Sequence, residues 1–337
     1  MIRFPFAAML VLFCCSPALL VAEQPSSSEE IKAAITQAVP RLEAGMRGSA
    51  KERTCFTCHS QAVPIVALAE VRRRGIAIDE KTFDGQVQHT LAHLERGRQN
   101  YVAGRGQGGK VLTAGYALWA LEAGEHTPDE TTAAVAGFLL EYQKDDTHWK
   151  HPGRRPPSSG SEFATTYVAL RGLAAFGTED QQDRIARRRE EVAKWALATK
   201  PQHNEDRVFQ LHALSILGAD EPAINSAAKQ LLQHQRDDGG WSQTKEMESD
   251  AYATATAMVA LRTAGNIQAD HPAMIEATRF LLTTQQDDGT WHVATRAKGF
   301  QTYFESGFPH GKDQFISITA SAWSTWALAL MLPEISE

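Results

Sequence analysis

One short pattern recurs three times along the chain, and it restricts the fold more than any other feature. The end of an apolar helix, a Gln, two carboxylates, a turn residue and a Trp follow one another in register at Phe138–Trp149, Leu231–Trp241 and Phe280–Trp291. Each copy closes one helix and opens a polar loop. A second helix of small residues follows, such as Tyr252–Leu261, and stops near a glycine. The unit is therefore an αα-hairpin. Its stop glycines, Gly75, Gly124, Gly177, Gly218 and Gly265, are spaced 49, 53, 41 and 47 residues apart. The repeat thus persists where the Gln-to-Trp pattern has decayed.

With a last helix over Ile318–Leu332 the pattern yields six hairpins, enough to close a ring. The expected fold is all-α, an α/α toroid. Its Ala- and Thr-rich helices lie inside, where helices crowd, and its longer amphipathic helices lie outside. An open solenoid would need polar capping repeats at both ends, and the apolar segment from Trp323 to Leu332 is a poor cap. The Gln-to-Trp motifs are themselves structural. A Gln side chain can satisfy free backbone groups at a helix end, and an indole packs across the hairpin with its N–H on a carbonyl. Nothing in them supplies a poised nucleophile.

These repeats, clearest at Gln235, Gly239, Trp241 and at Gln285, Gly289, Trp291, resemble those of the squalene-hopene cyclase and protein prenyltransferase superfamily. The first copy departs from the pattern, with Thr147 in the glycine position. The stretch from Gly239 to Thr254 is similar to the segment that places an Asp, here Asp250, at the toroid mouth in those proteins. The resemblance covers the chain from about Gly109 onward. More narrowly, Cys55-Phe56-Thr57-Cys58-His59 ahead of Gln61, Pro64 and Arg72-Arg73-Arg74-Gly75, together with Phe304–Gly311, resembles exported bacterial cyclase-like proteins that carry a haem-attachment motif. The motifs that carry the superfamily's two activities are not present in their usual form. Cyclisation by protonation uses Asp-x-Asp-Asp, which this chain lacks. Prenyl transfer uses zinc held by Asp, Cys and His, and no cysteine of the mature chain lies outside the 55–59 motif.

That last count depends on the N-terminus. Arg3 precedes an apolar run from Phe4 to Val21 that ends in small residues, which reads as a secretory signal over 1–22 and a single toroid domain over 23–337. An anchor helix would need about 18 uninterrupted apolar residues, and Pro17 interrupts this one. The expectation is an exported protein, periplasmic or secreted, that spans no membrane after signal removal. Cys14 and Cys15 leave with the signal, so only Cys55 and Cys58 remain of four. The formal charge of −6 offers no basic excess for nucleic acid. The triplets Arg72–Arg74 and Arg187–Arg189 read as helix-end or solvated charges.

Cys55-x-x-Cys58-His59 is the most specific chemical signal. Two thiols at this spacing can add to the two vinyl groups of haem while the adjacent His supplies the proximal nitrogen, and attachment of this kind follows export. The expected cofactor is one covalent haem c. A redox dithiol would sit before a helix in a βαβ setting, and zinc would need two further ligands. Candidates for a sixth iron ligand are Met46, His89, His93 and His310. His310 is preferred because a closed ring brings the loop from Trp291 to Ile316 against the first hairpin.

Register within the repeat places Cys58-His59 and Ser249-Asp250 alike at the N-terminal end of an inner helix. The haem would share that rim with Asp250, Tyr252, Glu162, His203 and the loop carrying Tyr303, Glu305 and His310, where helix N-termini favour anions. Asp250 and Glu162 read first as helix caps and, as the alternative, as candidate catalytic acids. The basic loop from His148 to Pro157, with His151, Arg154 and Arg155, is either solvated or placed to meet a propionate. Tyr116, Trp119, Tyr167, Tyr252, Trp323 and Trp326 either line a cavity for an apolar or isoprenoid-like molecule or are plain core. Three functions remain open: a haem-dependent redox enzyme, an electron-transfer or sensing cytochrome with a redox partner and the toroid as scaffold, and a divergent terpene cyclase using Asp250 or Glu162.

Overall fold

The computed structural model describes Met1 and residues 26–150, 155–299 and 302–334. The secretory-signal reading over 1–22, His151 and Arg154 lie outside the described residues. Twelve α-helices are present among them, with no strand and one isolated bridge, Arg155 to Ser159. The even-numbered helices form the inner ring: α2 (Val63–Arg73), α4 (Val111–Ala123), α6 (Glu162–Phe176), α8 (Asn204–Leu217), α10 (Ala251–Thr263) and α12 (Gln314–Ala329). Each packs on the next, and α12 packs back on α2. The outer helices are α1 (Ser28–Glu52), α3 (Glu80–Val102), α5 (Glu130–Glu141), α7 (Gln182–Ala198), α9 (Glu221–Leu232) and α11 (Pro272–Thr284), with α11 against α1. The fold is the closed six-hairpin α/α toroid. Among the described residues no helix is long and apolar enough to cross a membrane.

Composition follows position in the ring. Every residue of α10 from Ala251 to Leu261 is buried, whereas α7 buries only Ile185, Arg188, Val192 and Ala196, one stripe at helical spacing. An inner helix has protein on all sides, so small residues let the backbones approach. A Cβ on Gly115 of α4 would lie 2.7 Å from the Val168 side chain of α6. Some buried hydroxyls on these helices turn back on their own backbone, as where Thr256 donates to the Tyr252 carbonyl at 2.8 Å, and others meet the loops, as where Thr254 accepts from the Trp241 N–H at 2.9 Å.

The Gln-to-Trp loops hold the hairpins together as the residue types predict. The indole N–H of Trp149, Trp241 and Trp291 donates to the carbonyl ten residues earlier, Leu139, Leu231 and Leu281, at 2.9, 2.9 and 2.8 Å. Gln235 donates to Gly239 and to Ala273 on the next outer helix, each at 2.8 Å. The decayed first copy is repaired from elsewhere. Gln143 sits at φ 56°, and the Arg188 guanidinium of α7 donates to the carbonyls of Gln143 and Asp146 while covering the Trp149 ring at 4.4 Å.

Two expectations need correction. The stop glycines do not share one reason. Gly75 and Gly218 adopt left-handed φ of 70° and 72°, but at Gly124 and Gly265 the positive φ falls one residue later, on Glu125 and Asn266. Gly124 is required instead by packing, since a Cβ there would meet Val87 at 2.5 Å. Nor are the arginine triplets solvated throughout. Arg188 is buried, and Arg74 is buried between the Glu70 carboxylate, 2.7 Å away, and the Leu332 carbonyl, also 2.7 Å away. Arg74 thereby ties the end of α2 to the end of the described chain.

Candidate functional site

The N-terminal ends of the inner helices gather at one rim of the ring, because consecutive inner helices run the same way. Asn204 at the start of α8 donates to the Ala253 carbonyl at the start of α10, 3.2 Å away. The Cys58 thiol lies 3.9 Å from the Leu112 carbonyl at the start of α4, and the His59 ring meets Phe315 at the start of α12 edge-on, 5.3 Å between centroids. Cys58-His59 and Asp250 thus occupy the same rim.

Cys58–Ala62 forms a π-helical turn leading into α2. Thr57 caps it by accepting from the Ser60 N–H, and the Gln61 side chain accepts from both the N–H and the hydroxyl of Thr57 at 2.9 and 2.6 Å. Cys55 is exposed, Cys58 is half-buried, and both are free thiols. Burial pushes the Cys58 thiol up to about 12. Burial, reinforced by Arg155, pushes His59 down to about 4, so its imidazole is neutral and its lone pair available. Four buried polar atoms that have no partner among the described residues surround this segment: Ser60 Oγ, His93 Nε2, Tyr101 Oη and Gln107 Oε1. They belong to one neighbourhood, since His93 stacks on Phe56 at 6.1 Å and Gln107 donates to the His93 carbonyl at 2.9 Å. The Tyr101 phenol is pushed up by burial and by Cys58. Two free thiols, a neutral imidazole and a shell of unsatisfied polar atoms suit a covalently attached haem. Among the described residues no cluster of three or more His, Cys, Asp or Glu side chains is arranged to hold a metal ion directly.

The candidates for a second axial ligand separate. Met46 is fully buried in α1. His89 Nε2 lies 3.4 Å from the Cys55 carbonyl, and His93 stacks on the motif itself. His310 instead contacts Thr290 Oγ1 at 2.8 Å and lies 5.0 Å from the His292 ring. Its loop does reach the first hairpin, but through other residues. Arg53 donates to the Thr302 carbonyl at 2.9 Å and covers the Phe304 ring at 4.8 Å. His310 Nε2 is thus engaged by Thr290.

The second feature of the rim is a narrow, partly open pocket with about 30 Å³ of enclosed space, room for little more than a hydroxyl group or a water, between α8, α10 and the segment Pro156–Gly160. Asp250 caps α10, accepting from the Ala253 N–H at 2.9 Å, and its other oxygen accepts from the Gln243 amide at 3.0 Å. Arg296 in turn donates to Gln243 Oε1 at 2.9 Å. Burial pushes Asp250 up to about 6. Beside it is a carboxyl that the sequence did not single out. Glu205 is 6% exposed and accepts from the Tyr252 hydroxyl at 3.0 Å; burial first, then Asp206 and Asp250, push it up to about 8. Register held the clue. His203 and Asp250 are the N-caps of α8 and α10, and Glu205 and Tyr252 each stand two residues beyond their cap, pointing at one another across the rim. Glu162 behaves differently. Ser161 caps α6, while the Glu162 side chain is 45% exposed and bound to His148 Nε2 at 2.8 Å.

The aromatics fill the axis of the ring. Trp119 lies 6.0 Å from Trp323, 5.9 Å from Trp326 and 5.6 Å from Tyr167, and Trp323 stacks on Trp326 at 5.0 Å. Tyr116 stacks on Trp119 at 6.0 Å. All are buried, so of the six aromatics only Tyr252 lines the rim pocket.

Residues 194–285 match the family model of the squalene-hopene cyclase N-terminal domain. That span runs from the end of α7 through α11 and includes the Gln235–Trp241 motif. With the ring geometry it places the fold among squalene cyclase-like α/α toroids. No curated protein matches the chain. Among solved structures, a protein from Actinoplanes superposes with a TM-score of 0.57 at 14% identity, covering 87% of this chain and 99% of that one. Two proteins described as possible members of the GH105 family, from Salmonella enterica serovar Paratyphi A and Klebsiella pneumoniae, superpose with TM-scores of 0.54 at 12% identity. They cover 96% and 97% of this chain and 99% of their own. At these identities the likeness is one of fold.

Proposed function

We propose that this chain is an exported protein that carries one haem c on a squalene cyclase-like toroid and serves redox chemistry at the rim. Cys55 and Cys58 would hold the haem as thioethers and His59 would be its proximal ligand. The observation that carries the reading is the juxtaposition of two free thiols and a neutral His59 at the rim, ringed by unsatisfied polar atoms. The haem, when bound, supplies one-electron chemistry and an iron that takes small ligands. The chain's own residues fix the approach. Thr57 and Gln61 hold the motif's turn, Phe315 backs the His59 ring, and Arg155 supplies positive charge beside both Cys58 and His59. The filled axis favours redox or carrier chemistry at the rim over binding of a long apolar molecule within the ring.

The test is the pyridine haemochrome spectrum of protein matured with a cytochrome assembly system. A covalent haem band is expected, and it is lost in the Cys55→Ala, Cys58→Ala double variant while the helical circular dichroism remains. No band in the parent protein, or haem retained by the double variant, overturns the reading. Addition of carbon monoxide or cyanide then separates enzyme from carrier. An unchanged spectrum indicates a closed six-coordinate electron-transfer or sensing site.

A second reading, acid catalysis of the cyclase kind, has the burial of Asp250 in its favour. Glu162, half-exposed and bound to His148, lacks that support. Product from squalene or a shorter polyprene that survives Asp250→Asn would dismiss Asp250 as the acid.

A further inference from the structure

The rim pocket between α8 and α10 has no part in haem attachment, yet it is built like a binding site. Asn204 is 5% exposed and lines the pocket; its amide nitrogen is used by Ala253, but its buried Oδ1 has no partner among the described residues. A buried acceptor left unsatisfied is destabilising, so its retention calls for an explanation. Beside it the Glu205 carboxyl uses one oxygen for the Tyr252 hydroxyl and makes no other side-chain hydrogen bond among the described residues. The network behind these two groups is satisfied: Arg296 to Gln243, Gln243 to Asp250, Asp250 to the start of α10.

The charges select the ligand. At neutral pH burial keeps Glu205 largely protonated, while the ionised Asp250 is balanced by Arg296. Arg296 faces two carboxylates, Asp250 behind Gln243 and Asp206 on the lining, so the pocket holds no excess positive charge for an anion. It offers an acceptor in Asn204 Oδ1 and, in the neutral Glu205 carboxyl, a group that donates. An alcohol hydroxyl does both jobs at once, donating to one and accepting from the other. An apolar chain would leave both groups unpaired, at the cost of burying them dry.

We propose that this pocket binds a small, neutral polyhydroxylated molecule, with one hydroxyl held between Asn204 and Glu205 and its neighbours directed to the open mouth beside His203 and Asp206. The site is independent of the haem, and its failure would leave the haem reading intact. Tyr252 is a positioning residue, holding the Glu205 carboxyl toward the pocket.

Saturation-transfer NMR on the full mature chain with xylitol and myo-inositol tests the site, with farnesol, acetate and tetramethylammonium as the apolar, anionic and cationic alternatives. Transfer to the polyols alone is expected, weakened about tenfold or more in affinity by Asn204→Leu and by Glu205→Leu. Hydrogen exchange on the unaltered protein gives a readout that needs no variant, with polyol protection expected over residues 203–208. Absence of polyol transfer, transfer to one of the alternatives instead, or protection confined to other segments overturns the proposal.

Discussion

The side-chain amide of Gln285 donates to the Ala34 carbonyl at 2.9 Å, joining the sixth hairpin to the first across 251 residues of chain. It repeats the bond from Gln235 to Ala273. The match extends to the following glycines. A Cβ on Gly239 would lie 2.7 Å from the Glu276 carbonyl oxygen, and one on Gly289 would lie 2.5 Å from that of Gln37, each three residues beyond the bonded Ala. α1 therefore stands to α11 as α11 stands to α9, and the ring closes with the contact that propagates it. Gln285→Ala removes this bond and the one to Gly289 and should cost about 1–2 kcal/mol. In urea denaturation the midpoint falls while the slope stays unchanged; a midpoint equal to the parent's would show that the seam does not depend on Gln285.

Gly289→Ala should be costlier than its single methyl suggests. The position holds φ at +88° and its missing Cβ is the space occupied by the α1 backbone. Strain alone contributes about 1–3 kcal/mol. Gly299→Ala, with nothing within 4 Å, is the control and should leave the thermal midpoint in place.

Arg188 and Arg187 should respond oppositely. Arg188→Ala leaves the Gln143 and Asp146 carbonyls without their donor and uncovers Trp149, for a loss of about 2–4 kcal/mol. Arg187 is exposed, and its alanine variant should fall within about 0.5 kcal/mol of the parent. Equal melting temperatures for the two variants would refute the repair of the first repeat by Arg188.

Stability should fall as pH rises from 6.5 to 8. Glu205 is raised from 4.5 to about 8, so the folded chain keeps a proton that the unfolded chain releases, and the native state loses ground across that window. Asp250 acts with the same sign between 3.8 and about 6. Below 6.5 the buried His93 and His212, lowered to about 4 and about 3, oppose this by stabilising the fold as pH rises. Above 6.5 Glu205 acts without them, at up to about 1.4 kcal/mol per pH unit. Glu205→Gln should flatten the pH dependence of the melting temperature between 6.5 and 8; a slope as steep as the parent's would remove Glu205 as its source.

What was legible in the residues follows from the range of the forces that set it. The Gln-to-Trp loops were readable because their bonds lie within ten residues or recur with the repeat. The burial of Arg188 was missed because its triplet reads as solvated charge, although it stands three residues after Ile185 and four before Val192 on a helix with a single buried stripe. Glu205 was not legible. Its partner Tyr252 is 47 residues away on another helix, and a lone Glu in a first helical turn reads as a solvated charge favourable to the dipole. His310 was placed on the correct loop, but which side chain of a loop meets its neighbour is decided by local packing, and Phe304 and Phe315 took that role.

The six hairpins, the helix type and the common rim for Cys58, His59 and Asp250 are written in the repeat, because a repeat of about 50 residues with one register repeats its geometry as well. Folding in three dimensions was needed to show that the aromatics fill the axis, that Glu205 faces Tyr252 and that Asn204 Oδ1 has no partner among the described residues. These depend on distances across the ring, between helices whose separation is set by closure and side-chain packing and not by any spacing along the chain.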